Sequence, residues 1–492
     1  MTDESRKRLV LVATVLGSSM AFLDAFVVNV ALPTIDEELG LGLTGEQWMF
    51  LSYSLALAAL YLPAGALGDR YGYANTFVIG VAGFAVASVL AGAAPTSEVL
   101  IAARAIQGIF GALLTPGSLA LLRATYKDEA GRAIGAWTAW TSAATVAGPV
   151  VGGAIVEAVS WRGIFLLNIP VAVVTVVLTL VSRDKCRTEL RHRHLDLYGA
   201  VLGAVAVGAL VWALVEGPES GFASTTVVGG FVLAGVAFAA FIWVESRLAE
   251  PMMPLSLFRI RELSVANLAT FFVYAALGSA LFFLVLFAQS ILGYSPTEAG
   301  LVVVPISIVL WLLAGRFGRA ADRLGPRLFL VVGPVMIGTG LAWLGFLEPG
   351  ANYWLDFFPG LLVFSIGLAA TVPAITSTAL KPAPEGLTGI ASGINTTVSR
   401  LGQLVAVAAL GVVVSVVYSA PDGSPFELGE RSAAELAEAA DAFQAAMWVA
   451  AGLAFVGALV SGFGLPRRAR SEATAPAGGT AEAQPPASPP TP

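Results

Sequence analysis

Along the chain, long apolar runs alternate with short stretches rich in charge, glycine and proline. A run of about 20 apolar residues in helical conformation spans the roughly 30 Å of hydrocarbon in a bilayer, so each run reads as a membrane helix. The pattern predicts fourteen spans, near 9–32, 47–67, 75–94, 99–122, 133–157, 163–182, 197–216, 225–245, 263–289, 298–314, 328–348, 355–379, 388–418 and 442–464. An even number of crossings puts both chain ends on one side. Ser432-Ala433-Ala434-Glu435 is a capping-box pattern, which predicts a short helix leading into the last span. The stretch 471–492, rich in Ala, Pro, Ser and Thr, predicts a disordered tail. The apolar run after Arg6-Lys7-Arg8 is too long for a signal peptide and lacks a small-residue cleavage site, so it reads as a retained first helix.

Composition agrees with the pattern. Hydrophobic residues make up 57% of the chain and charged residues 12%, with a mean hydropathy of +0.81. Soluble domains carry about twice that share of charge. The 53 glycines allow close helix approach in lipid, where packing holds helices together. The net charge of −6 says less than the placement of the basic residues. With the N-terminus (1–8) in the cytoplasm, 23 of the 27 Lys and Arg fall on the inner side, leaving Arg162 and Arg431 outside and Arg104 and Arg400 within spans. Positive-inside bias therefore sets a multi-pass orientation with both termini cytoplasmic.

Two stretches repeat at corresponding places. Gly65-Ala66-Leu67-Gly68-Asp69-Arg70-Tyr71-Gly72 follows the second span, and Gly318-Arg319-Ala320-Ala321-Asp322-Arg323-Leu324-Gly325 follows the tenth. Both read as short cytoplasmic turns in which glycine permits tight turning and Asp and Arg latch helix ends. Such duplication marks the internal repeat of transporter folds. The first copy resembles the loop signature of the major facilitator superfamily. Leu23-Asp24-Ala25-Phe26-Val27-Val28-Asn29-Val30-Ala31-Leu32-Pro33 resembles the first-helix motif of its fourteen-helix drug:proton antiporter branch, the EmrB/QacA type. Arg104-Ala105-Ile106-Gln107-Gly108, Ala147-Gly148-Pro149-Val150-Val151-Gly152-Gly153 and Trp161 to Pro170 resemble its fourth-, fifth- and sixth-helix motifs. In the second half, Ala391-Ser392-Gly393-Ile394-Asn395 with Arg400 adds thinner support. Tyr73 and Ala74 depart from the family's basic residues, and Phe110 departs from its glycine.

The resemblance implies an all-α membrane protein with the major facilitator fold. A six-helix half (9–182), two linking helices (197–245) and a second six-helix half (263–464) would surround one central cavity. It further implies a proton-coupled antiporter in a bacterial cytoplasmic membrane that exports small amphipathic or cationic compounds as a monomer. Its partners would be protons, substrate and lipid, with no nucleic acid. A dedicated exporter of one endogenous metabolite and a non-transporting membrane sensor are the alternatives.

Asp24 and Arg104 are the leading candidates for proton coupling. A carboxylate inside an apolar span costs several kcal/mol and needs a reason. Arg104 lies at a depth differing by about one helical turn. Pairing would hold the carboxyl charged and desolvation would neutralise it, so the approach or withdrawal of Arg104 would switch its proton. A fixed buried ion pair locking two helices is the alternative. Gly148, Pro149, Gly152 and Gly153 give a small-faced helix with one missing backbone hydrogen bond, suited to bending and close contact. Asn29, Gln107, Asn168, Gln289 and Asn395 are polar within apolar runs and fit either a substrate cavity or helix-to-helix hydrogen bonds. Arg400 would bind an anionic group, close the inner gate, or bond to backbone carbonyls. Phe271, Phe272, Tyr274, Phe282, Phe283 and Phe287 fit an aromatic cavity or lipid-facing packing.

Other chemistries find little support. None of the four lysines follows a glycine as a phosphate-binding loop requires, and no H-E-x-x-H or G-x-S-x-G motif is present. Cys186 is alone, so no intramolecular disulfide forms, and His192 and His194 lack further ligands for a metal. The expectation is therefore a transporter without metal or organic cofactor, driven by the proton gradient.

Overall fold

The computed structural model describes residues 2–182, 196–248, 251–384, 387–418, 424–429 and 431–466. For residues 62, 65, 66, 69, 128, 146, 197 and 388 it describes the backbone alone. The first half comprises α1 (Asp3–Leu39), α2 (Gly42–Tyr71), α3 (Tyr73–Gly92), α4 (Ser97–Tyr126), α5 (Ala130–Ala158) and α6 (Arg162–Ser182). Then come α7 (Leu197–Ser220) and α8 (Thr225–Arg247). The second half comprises α9 (Arg261–Ser290), α10 (Pro296–Leu324), α11 (Pro326–Leu344), α12 (Tyr353–Leu380), α13 (Thr388–Val417) and α14 (Ala433–Gly464). Thirteen of these helices are long and apolar enough to cross a membrane, and the 30-residue α2 completes the fourteen expected. The described residues contain no strand.

Local chemistry explains several helix ends. Thr96, Asp196, Ser224, Ser295 and Ser432 each cap a helix start by accepting a backbone N–H. Ser432 and Glu435 form the expected capping box, but the helix it starts is α14 itself, continuous for 32 residues, and not a separate short helix. Between α1 and α2, Gly40 adopts a left-handed conformation, and the Asp36 carboxylate accepts the Gly42 N–H at 2.7 Å.

The duplicated stretches are helical where turns were expected. α2 runs through Arg70 to Tyr71, and α10 runs through Asp322 and Arg323 to Leu324. Each turn is one glycine: Gly72 at φ 88°, ψ 133° and Gly325 at φ 91°, ψ 146°. Each donates its N–H four residues back at 2.9 Å, to Gly68 and to Ala321. Positive φ penalises any residue with a Cβ, so both reversals depend on glycine.

The described hydrogen bonds that join the halves lie at the end opposite the termini, here called the distal end. Gln47 of α2 donates to the Val407 carbonyl of α13 at 2.7 Å, and Gln289 of α9 donates to the Val30 carbonyl of α1 at 2.9 Å. The Thr297 N–H of α10 donates to Glu157 of α5 at 2.9 Å. Toward the terminal end, Gly131 and Gly135 of α5 and Gly389 of α13 meet nothing outside their own helices within 4 Å. The linking pair is not peripheral throughout. α7 packs against both α2 and α13, while α8 turns Val232, Val236, Phe238 and Trp243 outward, as a lipid-facing helix does.

Candidate functional site

Five helices of the first half contribute to a cluster around one carboxylate. Asp24 of α1 is 3% exposed and Arg104 of α4 is 1% exposed, and Arg104 Nη1 donates to Asp24 Oδ2. The same Nη1 reaches Gln107 Oε1 at 2.9 Å, and Arg104 Nε reaches the Met49 carbonyl of α2 at 3.4 Å. Asn168, at the start of the inner segment of α6, donates from Nδ2 to Asp24 Oδ1 at 3.3 Å and to Ser88 Oγ of α3 at 3.3 Å. Gln107 Nε2 donates to Ser88 Oγ at 2.9 Å. The guanidinium lies over the Tyr53 ring at 4.4 Å, a cation–π contact, and Tyr53 donates its hydroxyl to the Ala21 carbonyl at 3.2 Å. Two opposite charges, each hydrogen-bonded and sealed from water, satisfy the conditions under which a buried pair persists.

A second cation lies beyond Tyr53. Arg400 of α13 is half-buried, in the neighbourhood of Tyr53, Tyr61 and Tyr274. Arg400 sits about 18 Å along α13 from its terminal end, near mid-membrane, by 1.5 Å per residue. The alternative of bonds to backbone carbonyls is not observed, because Arg400 has no described hydrogen bond or ion pair.

A sequence model described as Major Facilitator Superfamily matches residues 14–407. The chain belongs to that superfamily. Superfamily members similar to it include the multidrug resistance protein Stp of Mycobacterium tuberculosis, 37% identical over 84% of this chain and 76% of that protein. The tetracenomycin C resistance and export protein of Streptomyces glaucescens is 34% identical over 82% and 75%. The methylenomycin A resistance protein of Bacillus subtilis is 35% identical over 82% and 87%. Among solved structures, a bacterial homolog of the human lysosomal transporter Spinster, inward-facing and unoccupied, aligns with a TM-score of 0.68 at 17% identity, covering 93% of this chain and 97% of that one. That likeness speaks for the fold.

The major facilitator motifs fall into distinct places. Gly148 and Gly152 face α1: a Cβ on Gly148 would lie 3.4 Å from the Leu23 carbonyl, and one on Gly152 would lie 2.7 Å from Val27. Gly153 faces the other half, where a Cβ would lie 2.5 Å from the Pro296 carbonyl, and Gly300 returns the contact against the Pro149 carbonyl. In the first loop copy, Gly68 lies under the Tyr73 ring, and Arg70 lies 5.7 Å from the centroid of the Tyr71 ring. Gly65 and Asp69 are described by their helical backbone alone, and Cys186, His192, His194 and the tail lie outside the described residues. In the second copy, Gly318 lies 3.4 Å from Pro373 by the same Cβ measure, and Asp322 pairs with Lys381 at 2.6 Å and not with Arg323. Both departures from the family pattern meet a glycine: Tyr73 meets Gly68, and Phe110 meets Gly83 of α3.

The remaining polar candidates divide. Gln107 and Asn168 belong to the Asp24 cluster, and Gln289 bridges the halves. Asn395 ties α13 to α9 by donating to Asn267 at 3.1 Å and Thr270 at 2.9 Å. Asn29 is buried with its Oδ1 unpartnered. Phe282, Phe283 and Phe287 neither line a cavity nor face lipid; they are sealed in protein core, with Phe287 stacked on Phe443 at 4.1 Å. Phe271, Phe272 and Tyr274 are half-buried. Sequence reasoning missed Ser88 and Tyr53, which carry no charge to mark them, and Gly300, which lacks a motif. The second span, expected to start at residue 47, also left out Glu46. Glu46 is fully buried in the first turns of α2, accepting from Ser424 at 3.2 Å with its other oxygen unpartnered.

Proposed function

We propose that this chain is a proton-coupled exporter of small amphipathic compounds in a bacterial cytoplasmic membrane, working as a monomer with both termini in the cytoplasm. The names of the relatives, which concern multidrug resistance and the resistance to or export of two antibiotics, support the cargo class. The observation that carries the coupling is the sealed Asp24–Arg104 pair. In this arrangement Asp24 is a carboxylate held by Arg104 and Asn168, inaccessible to water. Loss of the Arg104 contact would leave a desolvated charge, which the carboxyl removes by taking a proton. A proton accepted from one side and released to the other, as the halves rock about the central cavity, gives alternating access its driving force. Each proton moving inward down 100 mV contributes about 2.3 kcal/mol. With the termini in the cytoplasm, the distal seal would be the external gate.

The test is transport in vesicles reconstituted with purified protein under an imposed pH gradient. Asp24→Asn folds, as judged by monodisperse elution and cargo binding, and abolishes gradient-driven movement. Undiminished gradient-driven transport by Asp24→Asn removes that residue from the mechanism.

A further inference from the structure

Arg104 is matched by Asp24, but among the described residues Arg400 is matched by no acid. Its surroundings are equally lopsided. Tyr61 of α2 and Tyr274 of α9 are half-buried, and no hydrogen bond of either hydroxyl is described among the described residues. Thr397, one turn before Arg400 on the same face of α13, leaves a buried hydroxyl unpartnered. A guanidinium offers only donors, and each hydroxyl can donate as well, so the group presents donors and one positive charge with no described carboxylate bonded to them. These side chains come from both halves: Tyr61 lies about 15 Å from the terminal end of α2, Arg400 about 18 Å along α13 and Tyr274 about 20 Å along α9. They therefore lie at similar depths near mid-membrane, on the terminal side of the hydrogen bonds that join the halves.

Resting on the exporter reading, we propose that Arg400, Tyr61, Tyr274 and Thr397 form an anion-reading subsite, and that the preferred cargo is an amphipathic organic anion carrying a carboxylate or phenolate on an apolar ring. The charge of the interior argues the same way. Among the described residues Asp24 is the acid buried beside this region, and it is already engaged by Arg104, so a cationic cargo finds no counter-charge there while an anion finds one. An anionic group bridging Arg400 and the two tyrosines would also touch both halves at once, as a cargo sensed by the rocking motion must.

The experiment uses two dyes that share a xanthene ring, anionic fluorescein and cationic rhodamine 123. Their affinities for the purified full-length protein are measured by anisotropy at pH 8. The expected preference for fluorescein is about tenfold or more, the scale of a charge-assisted hydrogen bond. Arg400→Gln removes that preference, Arg400→Lys keeps most of it, and Arg400→Glu inverts it. Equal affinity for the two dyes in the unaltered protein overturns the proposal, as does an unchanged ratio in Arg400→Gln. Gradient-driven transport of the dyes in vesicles is scored separately. Absence of transport with the charge preference intact defeats the exporter reading alone, whereas transport without charge preference defeats only the subsite.

Discussion

At the residue scale, the Asp24 cluster distinguishes a removable charge from an indispensable one. Arg104 holds Asp24, touches Gln107 and the Met49 carbonyl, and covers the Tyr53 ring. Arg104→Ala leaves a sealed carboxylate without its counter-charge, and breaking a buried pair in this way costs about 3 to 5 kcal/mol. Asp24→Asn leaves Arg104 its three other contacts and costs less. The double variant Asp24→Asn, Arg104→Gln leaves neither charge and melts above Arg104→Ala alone. Thermal midpoints of the purified variants check this order, and a double variant no more stable than Arg104→Ala contradicts it. The charged members of the cluster were legible in the sequence because an ionised group in an apolar run is costly enough to mark itself. Ser88 and Tyr53 were not, since a hydroxyl satisfied within its own helix or an aromatic ring laid on a cation leaves no trace in the hydrophobic pattern.

At the element scale, all fourteen helices were readable, because the bilayer imposes one length and one polarity on each. The sequence could not say which neighbour a small residue serves. Gly148 and Gly152 serve α1, whereas Gly153, one residue further, serves the opposite half through Pro296. A periodicity of 3.6 residues turns successive positions by about 100°, so adjacent glycines face different helices. The partner surface depends on Gly300, whose missing side chain admits the Pro149 backbone. Gly300→Leu therefore separates α5 from α10 and opens the distal end. Gly452 of α14 meets nothing within 4 Å and serves as the control. In a Cys186→Ser background, a cysteine at the fully buried Val30 is labelled by a membrane-impermeant thiol reagent faster with Gly300→Leu than with Gly452→Leu. Equal labelling in the two variants rules out the glycine crossing as part of the seal.

At the scale of the whole molecule, two distal crossings, α2 on α13 and α5 on α10, are related by the internal repeat yet built differently. One is polar: Gln47 donates to Val407 and lies against Gly411, where any side chain would collide with the amide. The other is a backbone approach between glycines, fastened by Glu157 on the Thr297 N–H. Packing so close has two discrete states, engaged or parted, because neither crossing tolerates a gap of a few tenths of an ångström without losing its contacts. If export requires the halves to part there, a covalent tie across the seam must stop transport without harming cargo binding from the terminal side. Glu157→Cys with Thr297→Cys, in the Cys186→Ser background, places the tie at the existing hydrogen bond. Oxidised protein in vesicles is expected to bind dye with unchanged affinity but to carry none, and reduction restores movement. Transport that persists through the oxidised tie means that the distal seam is not the gate and that cargo leaves by another route between the helices.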